Sequence, residues 1–259
     1  MNHSHSYTLI FFILMASCLS ACDNKGSSLE LAAFKCDELS TQKQISECKE
    51  KKQQGREYYL SEATKLLLQD NRYESLDLLE KAIQLDPHSE RVYFDKGLIL
   101  ASLGEANDAI AHFNKAITIK PEMADAYFHK ALALTDLHKY QEAIKVLEKT
   151  VKIKPDHALA HYSLGVLLID AQKTDAAHTS FINAYRVWEN NLKDNPGFFI
   201  QQERIKQKYN KTRRYLQAIG YLNKKDYRIA DNPDAEDKPI HLSNDKPEMD
   251  LPTDNLWKK

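Results

Sequence analysis

Glycine and proline are scarce in this sequence: its 259 residues include seven Gly and eight Pro, and four of the prolines follow residue 230. Charge of one sign is also lacking. The formal net charge is −1, so no whole-chain field selects nucleic acid or an acidic substrate. Because turn formers are few while Ala, Leu, Glu, Lys and Gln are abundant, the body of the chain is predicted to be all-helical.

Long hydrophobic runs are missing as well. Apolar residues make up 42% of the chain and charged residues 28%, which suits a soluble globular protein rather than a multi-span membrane protein. The apolar run Tyr7–Leu19 would span about 20 Å as a helix, whereas the hydrocarbon layer of a bilayer is about 30 Å thick. This run is predicted to be the apolar core of a secretory signal peptide.

The end of this run, Leu19-Ser20-Ala21-Cys22, resembles the lipobox of bacterial lipoproteins. The resemblance implies that residues 1–21 are removed and that Cys22 is acylated, which anchors the protein in a membrane of the cell envelope. Asp23 resembles an inner-membrane retention signal, although the outer membrane stays open. Residues 1–6 contain no Lys or Arg, so an ordinary cleaved signal or an uncleaved anchor remains an alternative.

If Cys18 is removed and Cys22 acylated, Cys36 and Cys48 remain. An even pair in an exported chain suggests a disulfide. On one continuous helix the two residues would lie about 18 Å apart, whereas bridged Cα atoms need about 4.4–6.8 Å. The bond therefore requires the chain to reverse near residues 39–41, and two unpaired thiols along one helix are the alternative.

An internal repeat dominates the centre of the chain. The tripeptides Leu85–Pro87, Ile119–Pro121 and Ile153–Pro155 recur every 34 residues, and the residues between them resemble the tetratricopeptide-repeat (TPR) pattern W-x2-L-G-x2-Y…A-x3-F…P. The resemblance implies an all-α fold, a TPR-type α-solenoid of about four helix-turn-helix repeats. The expected repeats are residues 56–89, 90–123, 124–157 and 158–191, preceded by a linker and an N-terminal helical segment within residues 22–55.

The outer repeats depart from the family pattern, as terminal units of a stack should. Ser75 and His161 replace pattern residues, and Glu189 stands where the closing Pro would fall. A capping helix is expected over residues 195–222, with Asn195 and Pro196 at its start and Gly220 at its end. Residues 223–259 are rich in Pro and acidic residues and are expected to be a disordered tail.

The sequence contains no HExxH, GxSxG, P-loop or GxGxxG motif, so a non-enzyme without cofactor or metal is predicted. His157 and His161 are four residues apart, but a structural role at a helix start is favoured over metal binding. Residues 201–228 carry nine Lys or Arg against two acids. This basic run is interpreted as a solvated face of the capping helix, with anionic lipid, a cell-wall polymer or an acidic partner as alternatives, and nucleic acid is not expected.

In TPR proteins the first helix of each repeat lines a concave groove that receives a peptide or helix. Adjacent residues on a helix point about 100° apart, so the residue after each pattern aromatic, and the residue one turn later, should face this groove. The predicted groove residues are Leu60, Thr64, Phe94, Leu98, Phe128, Leu132, Tyr162 and Val166. Asp95, Asp136 and Asp170 would add an acidic fringe. The alternative is that residues 23–55 or the C-terminal helix of the same chain cover these side chains.

The predicted function is therefore that of a scaffold or adaptor: a lipid-anchored TPR protein that binds an apolar or amphipathic segment of another protein. A chaperone-like or pilotin-type module that holds an exported or membrane client is the runner-up. One stable partner would distinguish the adaptor from a chaperone with many weak clients. The sequence leaves the partner and the oligomeric state open.

Overall fold

The computed structural model describes residue 36, residues 41–195, residue 198 and residues 202–222. Nine α-helices and no strand occur in this part of the chain, which confirms the all-α fold class. The expected signal peptide, the lipidated Cys22 and the acidic tail lie outside the described residues. The helices are α1 (Gln42–Leu68), α2 (Arg72–Leu85), α3 (Glu90–Ser102), α4 (Ala106–Ile119), α5 (Ala124–Asp136), α6 (Tyr140–Ile153), α7 (Ala158–Asp170), α8 (Thr174–Asp194) and α9 (Glu203–Ala218).

The helices pair into antiparallel hairpins within two compact units, Met1–Pro121 and Glu122–Lys259. In the first unit, α1 packs against α2 and α3 against α4, and α2 contacts α3. In the second unit, α5 packs against α6 and α7 against α8, α6 contacts α7, and α9 packs on α8. Each unit thus contains two helix-turn-helix repeats. No helix in the described part of the chain is long and apolar enough to span a bilayer.

Each hairpin turns through one residue in the left-handed conformation. In every turn the backbone N–H of the following residue bonds to the carbonyl oxygen five residues before it, as from Glu105 to Leu100, so the carbonyls at the helix end are satisfied. These turns recur every 34 residues, although glycine, which adopts this conformation without strain, occurs in only one of them. The residues with positive φ in these four turns are Asp70, Gly104, His138 and Gln172.

Close helix contact within the hairpins depends on residue size. A Cβ atom on Gly97 would lie 2.6 Å from Cε1 of the buried Phe113, and one on Gly165 would lie 2.9 Å from Cε1 of Phe181. Glycine therefore allows α3 and α7 to approach these rings. The other two repeats combine a larger residue at the glycine position with a smaller one at the phenylalanine position: Ala63 with Leu79, and Ala131 with Leu147, all buried.

The first helix extends beyond its hairpin partner. It has 27 residues, whereas α2 has 14. Thr41 begins α1 as its N-cap by accepting a hydrogen bond from the backbone N–H of Gln44. A disulfide joins Cys36 to Cys48 with their Cα atoms 5.7 Å apart, so Cys36 lies beside the first half of α1. Cys48 is the one buried residue in the first half of this helix.

The last repeat also has a long helix, because the proline that closes the earlier repeats is replaced by Glu189. Helix α8 continues to Asp194 and buries Trp188 and Leu192 in the added turns. Asn195 is therefore not the start of the capping helix, as the sequence predicted, but the C-cap of α8, and α9 begins at Glu203. The ψ of 94° at Asn195 is typical of a residue that precedes proline. Gly220, with φ of 75°, ends α9.

Candidate interaction surfaces

In the first unit, part of the predicted groove surface faces solvent. Leu60 is buried in the core with Tyr59 and Leu79, whereas Thr64, one turn later, is exposed and donates its hydroxyl to the Leu60 carbonyl oxygen. Phe94 and Leu98 occupy the equivalent positions on α3 and are half-buried. The Phe94 ring centroid lies 5.9 Å from that of Phe113, which fixes one side of the ring against α4.

Two leucines that are not among the predicted groove residues enlarge this surface. Leu67 is 37% exposed and Leu68 is 85% exposed at the end of α1. They follow Thr64 by three and four residues, so they lie on the same side of the helix. The run Leu66-Leu67-Leu68 could have indicated them, because the repeat pattern requires only one apolar residue there and the sequence has three. We call Thr64, Leu67, Leu68, Phe94 and Leu98 the first-unit apolar surface.

In the second unit, most of the predicted groove residues lie in the packed interior. Phe128, Leu132 and Tyr162 are only 6%, 5% and 8% exposed, and Val166 is half-buried. The Phe128 ring centroid lies 4.7 Å from that of His157, which is the N-cap of α7. These side chains are therefore covered by the protein itself, and Phe128 is covered at the start of α7 rather than by the C-terminal helix.

Tyr162 shows how the last helix contributes to this coverage. Its ring centroid lies 6.1 Å from that of Trp188 on α8, and Lys208 Nζ of α9 lies 5.6 Å from the ring centroid. A cation over an aromatic ring is stabilised by the ring's negative face. Burial, together with the nearby cations Arg204 and Lys211, lowers the pKa of Lys208. Helix α9 thus places a positive charge where the fourth repeat would otherwise present an aromatic surface.

The two histidines with helical spacing hold the start of α7. His157 Nδ1 accepts a hydrogen bond from the backbone N–H of Ala160 at 3.2 Å, and His161 Nε2 donates to the Pro155 carbonyl oxygen at 2.9 Å. Burial lowers the pKa of both imidazoles, which favours their neutral forms. Across the described ranges, no group of three or more His, Cys, Asp or Glu side chains could hold a metal ion.

The predicted acidic fringe is only partly exposed. Asp136 and Asp170 are exposed, whereas Asp95 is half-buried, and its Oδ2 lies 3.6 Å from Arg91 Nε. Burial raises the pKa of Asp95, and the Arg91 guanidinium opposes that rise. Of the three predicted fringe residues, Asp95 alone lies in the first unit, and Arg91 screens its charge.

The exposed face of α9 is basic. Arg204, Lys211 and Arg214 are exposed and lie at positions i, i+7 and i+10, within about 80° of one another around the helix. On the opposite face, Tyr209 and Leu216 are buried against the rest of the unit. We call Arg204, Lys211 and Arg214 the α9 basic stripe.

Comparisons with known proteins agree with the repeat architecture. Residues 69–150 match the family model described as anaphase-promoting complex, cyclosome, subunit 3, and residues 131–170 match the model described as TPR repeat. A crystal structure of MamA is 26% identical, with a TM-score of 0.51 over 53% of this chain and 81% of that chain. Another MamA crystal structure is 20% identical, with a TM-score of 0.51 over 69% of this chain and 98% of that one.

These similarities support the TPR family for the repeat region, and the fold is of the TPR class. No curated protein matches the chain.

Proposed function

We propose that this protein is a non-catalytic, membrane-anchored scaffold that binds an apolar or amphipathic segment of another protein through the first-unit apolar surface. The observation that carries the proposal is the exposure of Leu67 and Leu68 at the end of α1, together with the half-buried Phe94 and Leu98 at the predicted groove positions of α3. Large exposed aliphatic side chains that are clustered rather than scattered mark interaction surfaces.

The energetics suit a moderate interaction. Full burial of one leucine side chain contributes roughly 1.5–3 kcal/mol, so the two leucines of α1 could supply a few kcal/mol to a complex. The half-buried Phe94 and Leu98 would add less, because part of their surface is already covered. Helical or extended peptides that present several apolar residues to a groove are the partners that such a surface accommodates.

A substitution series tests this binding. Leu68→Asp and Leu98→Asp each place a charge on the first-unit apolar surface and are expected to abolish partner recovery in a pull-down from envelope extracts. Tyr73→Asp is the matched control, because Tyr73 is 68% exposed on α2 of the same hairpin. Unchanged helicity by circular dichroism separates loss of binding from loss of folding. Equal recovery with Leu68→Asp and Tyr73→Asp, or loss of folding in both leucine variants, would contradict the proposal.

Export and anchoring are the second part of the proposal. The Cys36–Cys48 disulfide supports an oxidising compartment, since such bonds persist in exported proteins and are rare in the cytosol. The lipobox-like sequence that ends at Cys22 supports acylation at the bacterial cell envelope, and Asp23 favours the inner membrane over the outer. In this arrangement the lipid anchor holds the repeats beside a membrane, where an adaptor would recruit its partner.

Metabolic labelling with a palmitate analogue tests the anchor. The wild-type chain should be labelled and should sediment with membranes, whereas Cys22→Ala should lose the label and Cys18→Ala should keep it. Labelling that survives in Cys22→Ala would contradict acylation at this residue. For the partner, one stoichiometric protein would favour the adaptor, whereas many weakly bound clients would favour the chaperone-like or pilotin-type role.

A further inference from the structure

The charge of this chain is distributed in two opposite blocks, although its formal net charge is only −1. Helix α9 carries six Lys or Arg against one acid, Glu203, which pairs with Lys206 at 3.8 Å. Residues 231–254 carry eight Asp or Glu against two Lys. A basic helix is thus followed along the chain by a strongly acidic segment.

The basic side of α9 faces solvent. Tyr209, Thr212 and Leu216 are buried on one side of the helix, which leaves the α9 basic stripe exposed on the other. Lys208 is half-buried, and burial, together with the charges of Arg204 and Lys211, lowers its pKa. Several exposed cations on one side of a helix create a positive potential that attracts an anionic segment.

The connection between the two blocks has a suitable length. Residues 219–222 are hydrogen-bonded to the end of α9, so residues 223–230 separate them from the acidic segment, and eight residues reach at most about 29 Å. A helix of 16 residues is about 24 Å long, so the segment can reach every turn of α9. Because both blocks belong to one chain, their association is intramolecular and has an effective concentration on the order of millimolar.

We propose that residues 231–254 bind back onto the α9 basic stripe. The acidic segment is then the resident occupant of this surface, and an external anionic partner would have to displace it. The proposal is independent of the proposed function, because it involves a helix of the second unit and requires neither a lipid anchor nor a protein partner.

Zero-length carbodiimide crosslinking of the full-length chain in detergent tests the proposal, because it joins an amine to a carboxylate only when the two are in contact. After proteolysis and mass spectrometry, Lys211 should be linked to carboxylates of residues 231–254. Lys120 and Glu90, whose Nζ and Oε1 lie 3.4 Å apart in the first unit, provide the internal positive control. Salt should suppress the tail link, since the Debye length falls from about 10 Å at 0.1 M to about 3 Å at 1 M.

Two variants sharpen the test. Arg204→Gln with Arg214→Gln preserves the Lys211 amine but removes two charges, so the yield of the tail link should fall severalfold. Lys149→Gln, at an exposed position on α6, should leave the yield unchanged. Neither variant is expected to alter the Lys120–Glu90 link.

Two results would overturn the proposal. The first is absence of the Lys211 link while the Lys120–Glu90 link forms. If phosphatidylglycerol vesicles then bind the wild type better than the double arginine variant, anionic lipid is the occupant instead. The second is equal numbers of links within and between chains when isotopically light and heavy protein are mixed, which would assign the contact to a second copy.

Discussion

The Tyr209 hydroxyl of α9 donates a hydrogen bond to Glu189 Oε1 of α8. Glu189 occupies the position where the earlier repeats carry the proline that closes them, so one residue both allows α8 to continue and holds the following helix. Burial raises the pKa of Tyr209, and the bond to Glu189 adds to this rise. The Tyr185 ring stacks on that of Tyr209 with centroids 5.6 Å apart.

Tyr209→Phe should destabilise the second unit. A hydrogen bond to a charged group contributes roughly 1.5–3 kcal/mol, and the half-buried carboxylate of Glu189 can recover part of this loss through water. A decrease of about 1–2 kcal/mol in the free energy of unfolding is expected from urea titration. Tyr221→Phe is the control, because the Tyr221 hydroxyl accepts from Arg186 at an exposed site. Equal effects of the two substitutions would argue against a special role for the Glu189 bond.

Gly97→Ala should destabilise the first unit despite the higher helix propensity of alanine. The added Cβ would lie 2.6 Å from Phe113 Cε1, and such overpacking costs about 1–3 kcal/mol. The gain in helix propensity is about 1 kcal/mol and offsets only part of this cost. Chemical denaturation should therefore show a net loss of stability.

The combination of Gly97→Ala with Phe113→Leu provides the decisive comparison, because the first and third repeats already use alanine with leucine at these positions. The double variant should be more stable than the sum of the two single effects predicts. Strict additivity in this double-mutant cycle would contradict the size rule.

Cys48→Ser should loosen the first half of α1 without unfolding its second half. Cys48 is the one buried residue before Tyr59 in this helix, whereas the second half packs on α2. A disulfide that closes a loop of this size contributes about 3 kcal/mol in the chain-entropy model. Hydrogen exchange should accelerate in residues 42–54 and change little in residues 58–66. Cys36→Ser should give the same pattern, and unchanged exchange in both variants would show that the bond does not hold this segment.

Two histidines should make the fold sensitive to mild acid. Burial lowers the pKa of His112 to about 4, with Lys96 and Lys115 adding to the effect, and burial lowers the pKa of His129 to about 4. The unfolded chain binds these protons near pH 6.5, so stability that is present above this pH is lost as the pH falls toward 4. The free energy of unfolding should therefore decrease between pH 7 and pH 5.

The variant His112→Gln with His129→Gln measures this contribution. Its free energy of unfolding should depend less steeply on pH over the same range, because two groups that take up protons on unfolding have been removed. Parallel curves for the wild type and the variant would show that other groups cause the acid sensitivity.

The repeats could be predicted from sequence because stacking repeats the same size requirements every 34 residues. The lengths of the helices at the ends of the repeat array could not be predicted so well, because such a helix continues for as long as neighbouring elements bury its side chains. Trp188 and Leu192 extend α8 beneath α9, and the disulfide at Cys48 accompanies an extended α1. The left-handed turns could not be predicted for a related reason. At His138 and Gln172 the hairpin imposes a positive φ, for which the residue type gives no signal.

The exposure of the groove residues could be predicted only in part from the sequence, because it depends on which side chains the adjacent hairpins cover. Phe128 and Leu98 both come from groove positions of the family pattern, yet Phe128 is buried beside His157, whereas Leu98 is half-buried. Leu68 lies outside the eight predicted positions and is nevertheless the most exposed large apolar residue described. Exposure depends on the neighbouring repeat, which a pattern within one repeat does not specify.

Site-specific photo-crosslinking in intact cells tests the central claim, that the first-unit apolar surface binds another protein. A photoreactive amino acid at Leu68 should yield one dominant protein adduct, identified by mass spectrometry, and Leu98→Asp should remove it. The same amino acid at Tyr73, an exposed position on α2, should yield no such adduct. No adduct from Leu68, or the same adduct from both positions, would contradict the account.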